Sequence, residues 1–157
     1  MQLPADPTAA YALLTDPEYV QAVGEATGGQ DVSVTVTPTD DGGAVVASYR
    51  VLPAELPSYA KAVVGDSLKL TETRTFGPAA ADGSRDGSAE VTFDGAPVKI
   101  TGSLRLAAAE AGSELALDAK VSAGIPLVGG KIERFAAEQI ERFMAKEEQV
   151  AGHRLNG

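Results

Sequence analysis

Glu72 and Arg74 are the residues whose spacing suits chemistry best. They stand two apart in Leu68-Lys-Leu-Thr-Glu-Thr-Arg-Thr-Phe76. A β-strand turns such residues to one face. Leu68, Leu70 and Phe76 share that phase, while Lys69, Thr71, Thr73 and Thr75 take the other. With the leucines inward, a carboxylate and a guanidinium enter the interior together. Buried charges are costly unless paired. The pair would orient a polar group of a ligand or, with Tyr49, supply acid–base groups to a reaction. The competing reading is a bulge or edge strand that turns both toward water.

Other groups have weaker geometry. Residues 124–131, Gly-Ile-Pro-Leu-Val-Gly-Gly-Lys, approach a phosphate-binding loop. The lysine is one place late, and Ile132 stands where a Ser or Thr would hold magnesium. A strand-to-helix turn is the simpler reading, although any helix N-terminus attracts anions. Asp82-Gly-Ser-Arg-Asp86-Gly87 lacks the alternating acidic positions and closing Glu of a calcium loop, and reads as a solvated loop. His153 is the only histidine, and there is no cysteine. It lies near the last residue of the sequence, where chains fray. A transition-metal site is therefore not supported, and disulfides and a cysteine nucleophile are excluded. No Ser–His–Asp arrangement presents itself. No catalytic residue is assigned, and no metal or cofactor is expected.

The elements that position Glu72 and Arg74 follow from periodicity. After the glycines at 129 and 130, Ile132, Phe135, Ala136, Ile140, Phe143 and Val150 recur at helical spacing, one apolar stripe on one long helix. Asp6-Pro7 and Asp16-Pro17 each pair a capping residue with a proline suited to the first helical position. Two short helices in series are expected there, the second ended by Gly28-Gly29. Val32, Val34 and Val36 then alternate with Ser33, Thr35 and Thr37, a half-buried strand. Asp40-Asp-Gly-Gly43 turns the chain into a partner strand over 44–52. A short helix is read at 57–64. Further strands are predicted over 67–76, 88–94, 98–106 and 114–125, and Met1-Gln2-Leu3 offers a scrap of another. This is an α+β pattern. On the last two strands apolar and polar residues alternate cleanly, so one sheet face is covered and one is wet. The long helix is the element long enough to cover it.

Composition bounds the rest. At 157 residues and 44% hydrophobic, one domain spanning 1–157 with a sizeable core is expected. A net charge of −9 argues against nucleic acid and anionic membrane surfaces as partners. No apolar stretch is long enough to span a bilayer. The first residues lack the pattern of a signal peptide, and a cytoplasmic location is the expectation.

The element order resembles the helix-grip fold of the START-like superfamily, which includes the pollen-allergen-like proteins and polyketide cyclases. Within it the chain is similar to an uncharacterised, mainly actinobacterial branch. Leu14-Thr-Asp-Pro-Glu-Tyr19, Leu52-Pro53 with Pro57, Gly95-Ala-Pro97 before Gly102-Ser-Leu104, and Ile125-Pro-Leu-Val-Gly-Gly-Lys-Ile-Glu133 carry the resemblance. The last is the most specific, and the match covers nearly the whole chain. It implies a curved antiparallel sheet wrapped around a long C-terminal helix, two short helices near the N-terminus, and a cavity between sheet and helix. It implies no activity. One departure is the short run before Pro4, which has room for much less than a usual first strand. Strand edges left open by it invite pairing between chains, so a homodimer is expected.

Strand alternation and the helical stripe assign lining residues to the implied cavity. They are Tyr49 on one strand and Leu68, Leu70, Glu72 and Arg74 on the next. Val91 and Phe93, then Ile100, Gly102 and Leu104, then Leu117, Ala119 and Val121 follow. The helix adds Phe135, Gln139 and Phe143. Three functions stay open: binding or transport of a small hydrophobic molecule, lipid or polyketide-like; a cyclase- or aromatase-like enzyme; or a protein-interaction module. Fold does not decide among them.

Overall fold

Both Asp-Pro pairs start helices. In the computed structural model, which describes residues 1–53 and 56–157, the Asp6 carboxylate accepts from the Thr8 and Ala9 amides at 2.9 and 3.0 Å. Asp16 accepts from the Glu18 amide at 3.0 Å. Helices α1 (Pro7–Leu14) and α2 (Pro17–Ala26) follow. Ahead of them, strand β1 (Gln2–Leu3) pairs antiparallel with Ser113 and Glu114.

The strands are β2 (Gln30–Pro38), β3 (Ala44–Leu52), β4 (Leu68–Phe76), β5 (Arg85–Phe93), β6 (Val98–Ala109) and β7 (Gly112–Ala123). Helix α3 (Ser58–Val64) links β3 to β4, and α4 (Gly129–Asn156) ends the chain. Among the described residues these strands form one seven-stranded antiparallel sheet, ordered β1-β7-β6-β5-β4-β3-β2. The sheet curls around α4, which makes a helix-grip fold. None of the described helices is long and apolar enough to cross a membrane.

Four boundaries differ from the periodicity. Strand β5 starts at Arg85 rather than at 88, because Gly87 pairs with both Phe76 and Leu104. A Cβ at Gly87 would collide with the Thr75 carbonyl oxygen, so the glycine that reads as loop permits close pairing. Strand β6 runs on to Ala109 and β7 begins at Gly112, so the hairpin between them is tighter than expected. Strand β7 stops at Ala123, not 125, and Leu127 lies beyond it at a φ of 71°.

The core is concentrated at one end. Leu3, Ala10, Leu14, Tyr19, Val23, Val46, Phe76, Leu104, Leu106, Leu115 and Ala151 form one buried cluster. The short helices, the lower half of the sheet and the last third of α4 meet there. Burying each large apolar side chain contributes roughly 1.5–3 kcal/mol. The first half of α4 is not packed in this way, and a cavity opens beneath it.

Candidate functional site

The cavity has a volume of about 390 Å³, within the usual range for small-molecule sites. Its sheet wall comes from Leu68, Leu70, Glu72 and Arg74 on β4, with Ala89, Val91 and Phe93 on β5. Ile100 and Gly102 on β6 and Leu117 and Ala119 on β7 continue it. Ile132, Phe135, Gln139 and Phe143 come down from α4, and Leu56, Ala60, Val63 and Val64 close one side.

Register explains why this space is hollow. Arg74 pairs with Ala89, Ala89 with Gly102, and Gly102 with Ala119. Three small residues in one cross-strand row leave room above the sheet. One row away, Phe76 and Leu104 flank Gly87 and fill the space, so the core is solid there.

Three expected lining residues lie elsewhere. Tyr49 points to the outer face, opposite Ser33 and Thr71. The inward phase of β3 is Ala44, Val46, Ser48 and Arg50, all buried, and its polar members hide it from a hydrophobicity pattern. Leu104 faces inward but is 3% exposed within the solid core. Val121 shares the inner phase and is half-buried, yet does not reach the cavity wall. The other expected positions on the strands and α4 do line it.

Glu72 and Arg74 face inward. Strand β4 keeps unbroken register with both neighbours, so it is neither a bulge nor an edge. Arg74 Nε forms an ion pair with Glu72 Oε1 at 2.9 Å. Its two terminal nitrogens donate to both oxygens of Glu147 at 2.7 and 2.8 Å. This fork-on-fork geometry is the strong form of the pair. Arg50 joins from β3, with Nη2 3.6 Å from Glu72 and Nη1 donating to Ser48 Oγ at 3.4 Å. The Phe143 ring lies over both guanidiniums, 4.8 Å from Arg50 and 6.0 Å from Arg74, in cation–π range. A small void of about 20 Å³ touches the same charges, roomy enough for about one water and no ligand.

The charges are shifted accordingly. Burial pushes the Glu72 carboxyl up, but Arg74 and then Arg50 outweigh it and hold it below the usual carboxylate range. Burial works against the Arg74 charge, and Glu147 and Glu72 more than restore it, so Arg74 stays charged. Burial raises Tyr19, whose hydroxyl donates to the Glu147 carbonyl at 3.4 Å.

Sequence reasoning missed Arg50 and Glu147. Each carried a signal. Arg50 shares the phase of Val46 and Ser48. Glu147 lies one turn beyond Phe143 on the apolar stripe, where a charge is out of place.

The weaker candidates are structural. Residues 124–131 form the strand-to-helix turn, with Lys131 Nζ 5.8 Å over the Tyr59 ring. Asp82 accepts from the Ser84 amide and hydroxyl at 2.9 and 2.6 Å, which closes its loop on itself. His153 is exposed in the last turn of α4.

A family model described as "Protein of unknown function (DUF2505)" matches residues 1–155. The chain belongs to the DUF2505 family. Among solved structures, TTHA0849 from Thermus thermophilus is similar at a TM-score of 0.57 and 13% identity, covering 95% of this chain and 91% of that one. At that identity the likeness is one of fold. No curated protein matches the chain.

Proposed function

We propose that this DUF2505 chain binds or carries a small hydrophobic molecule, lipid or polyketide-like, between sheet and helix. One observation carries the reading: an apolar-walled space of about 390 Å³ under the first half of α4. Protein interiors normally close-pack, and a row of Ala89, Gly102 and Ala119 keeps this one open. The order of elements supports placing the family within the START-like superfamily. Glu72 is ion-paired twice and held ionised, whereas a general acid needs a carboxyl raised toward neutrality. That favours carriage over cyclase-like catalysis. Residues Met1–Leu3 pair with β7 at Ser113, Glu114 and Leu115, which supports self-association along the rest of the β7 edge.

The test is native mass spectrometry of the purified protein with a thermal-shift screen of fatty acids, sterols and aromatic polyketides. A co-purifying small molecule, or a class that stabilises by about 2.7 kcal/mol at one hundred times its Kd, is the expected result. No bound species and no stabilising class would overturn the proposal.

A further inference from the structure

The cavity walls carry the opposite sign to the protein. The chain has a net charge of −9. Among the described residues lining the cavity, the charged ones are Arg50, Arg74, Arg142 and Lys146 against Glu72. Glu147, just behind the wall, neutralises Arg74, so the buried charges balance and the cationic excess lies at exposed Arg142 and Lys146. Such a site concentrates anions against the field of the surrounding surface.

The two buried arginines are used unequally. Arg74 makes three short charge-assisted contacts, at 2.9, 2.7 and 2.8 Å, and has little left to give. Arg50 is 5% exposed, yet its contacts are long, 3.4 and 3.6 Å. Its Nε has no partner among the described residues and is itself sealed off, so the loosely held Nη groups are the donors left for a ligand. A buried guanidinium with idle donors is costly. The cost falls if a ligand supplies acceptors, and a planar carboxylate matches the guanidinium fork.

The charge is also confined to one end. Moving along the strands from Arg50 and Glu72, the walls become Leu52, Leu68, Phe93 and Val98, with Ile132 and Phe135 above them. Phe143, stacked on Arg50, marks the boundary between the charged and apolar parts. A ligand that fits this division has one acidic head and an apolar body.

We propose that the cavity selects amphiphiles with a single carboxylate head and that Arg50 binds the head. This rests on the cavity being a ligand site. Arg142 and Lys146, exposed on α4, draw the anion in, and Arg50 supplies the directed hydrogen bonds. An alcohol of the same length fills the apolar part equally but leaves the donors poorly met. An amine finds both buried carboxylates, Glu72 and Glu147, already paired to arginines.

The test is calorimetric titration of the full chain with matched pairs: dodecanoate against dodecanol, and naphthoate against naphthylmethanol. We expect the acid of at least one pair to bind at least about tenfold more tightly than its alcohol, the worth of hydrogen bonds to a charged group. The pair showing the larger ratio distinguishes an aliphatic from an aromatic acid. Arg50→Gln is expected to bring the ratio close to one by weakening the acid alone, and Arg50→Lys to keep part of it. The double variant Arg142→Gln, Lys146→Gln is expected to slow association and preserve the ratio. Equal binding of acid and alcohol by the native protein overturns head-group selection and leaves the hydrophobic-ligand reading standing. If neither member of either pair binds, and the broader screen is also empty, both readings fall. If Arg50→Gln does not fold, the native ratio still decides selection. A ratio abolished by the double variant instead assigns the head to the rim and overturns the role of Arg50.

Discussion

Arg74, in the middle of the sheet, donates two parallel hydrogen bonds to Glu147, on the last third of α4, at 2.7 and 2.8 Å. They lie 73 positions apart in the chain. Both are buried, so the pair ties the helix to the sheet where the cavity ends and the solid core begins. Removing one partner strands the other's charge, at a typical cost of 3–5 kcal/mol. We expect Glu147→Ala to lose about 3 kcal/mol in urea unfolding, because Glu72 still holds Arg74. The double variant Arg74→Met, Glu147→Met is expected to lose less than the sum of the two single Met variants, with a residual loss because Glu72 keeps only Arg50, at 3.6 Å. Two additive losses would show that the pair is not coupled.

The pH dependence follows from Glu72. Its carboxyl is held below the ordinary 4.5 in the fold. Its contribution is therefore present above that value and lost as pH falls through the lower folded one. Thermal midpoints measured downward from pH 5 are expected to drop, and Glu72→Gln to show a shallower drop. At the other extreme Tyr19 is raised well above its ordinary 10.0. The unfolded phenol ionises first, so stability falls as pH rises past about 10. Tyr19→Phe should lessen that alkaline loss, and an unchanged alkaline slope would remove Tyr19 from the account.

Gly102 and Ala89 share a cross-strand row but answer substitution differently. A Cβ on Gly102 would lie 2.5 Å from the Asp118 carbonyl oxygen and 3.0 Å from the Ala119 Cα. Gly102→Leu therefore disturbs the β6–β7 pairing instead of cleanly filling the cavity. We expect it to lower stability by about 1–3 kcal/mol or more. Ala89→Leu is expected to extend into the cavity, keep a cooperative transition, and reduce the stabilisation given by ligands. Equal ligand stabilisation of Ala89→Leu and the native protein would place the binding site elsewhere.

Self-association is expected through the β7 edge. Light scattering across a broad concentration range should show apparent mass rising with concentration. A constant monomer mass would remove the edge-pairing proposal.

Much of the architecture is local and therefore legible in the sequence. Asp6-Pro7 and Asp16-Pro17 carry their own capping chemistry. Val32, Val34 and Val36 state a period of two, and Ile132 to Phe143 a period near 3.6. The inward phase of Glu72 and Arg74 was readable from Leu68 and Leu70 beside them. Tyr49 was misplaced because the inward side of β3 carries Ser48 and Arg50, so polarity concealed its phase. What Glu72 and Arg74 touch was not legible. Arg50 comes from the neighbouring strand and Glu147 from a helix 73 positions beyond Arg74, and only the closed fold brings these groups within bonding distance. The cavity is likewise a property of register. Leu104 and Gly102 share one face of β6, yet one is sealed in the core and the other borders open space. Their cross-strand neighbours decide this: Leu117 stands beside Leu104, and Ala119 beside Gly102. The sequence sets the period of each strand. Only the pairing of strands sets which small residues fall in one row, and so where packing stops.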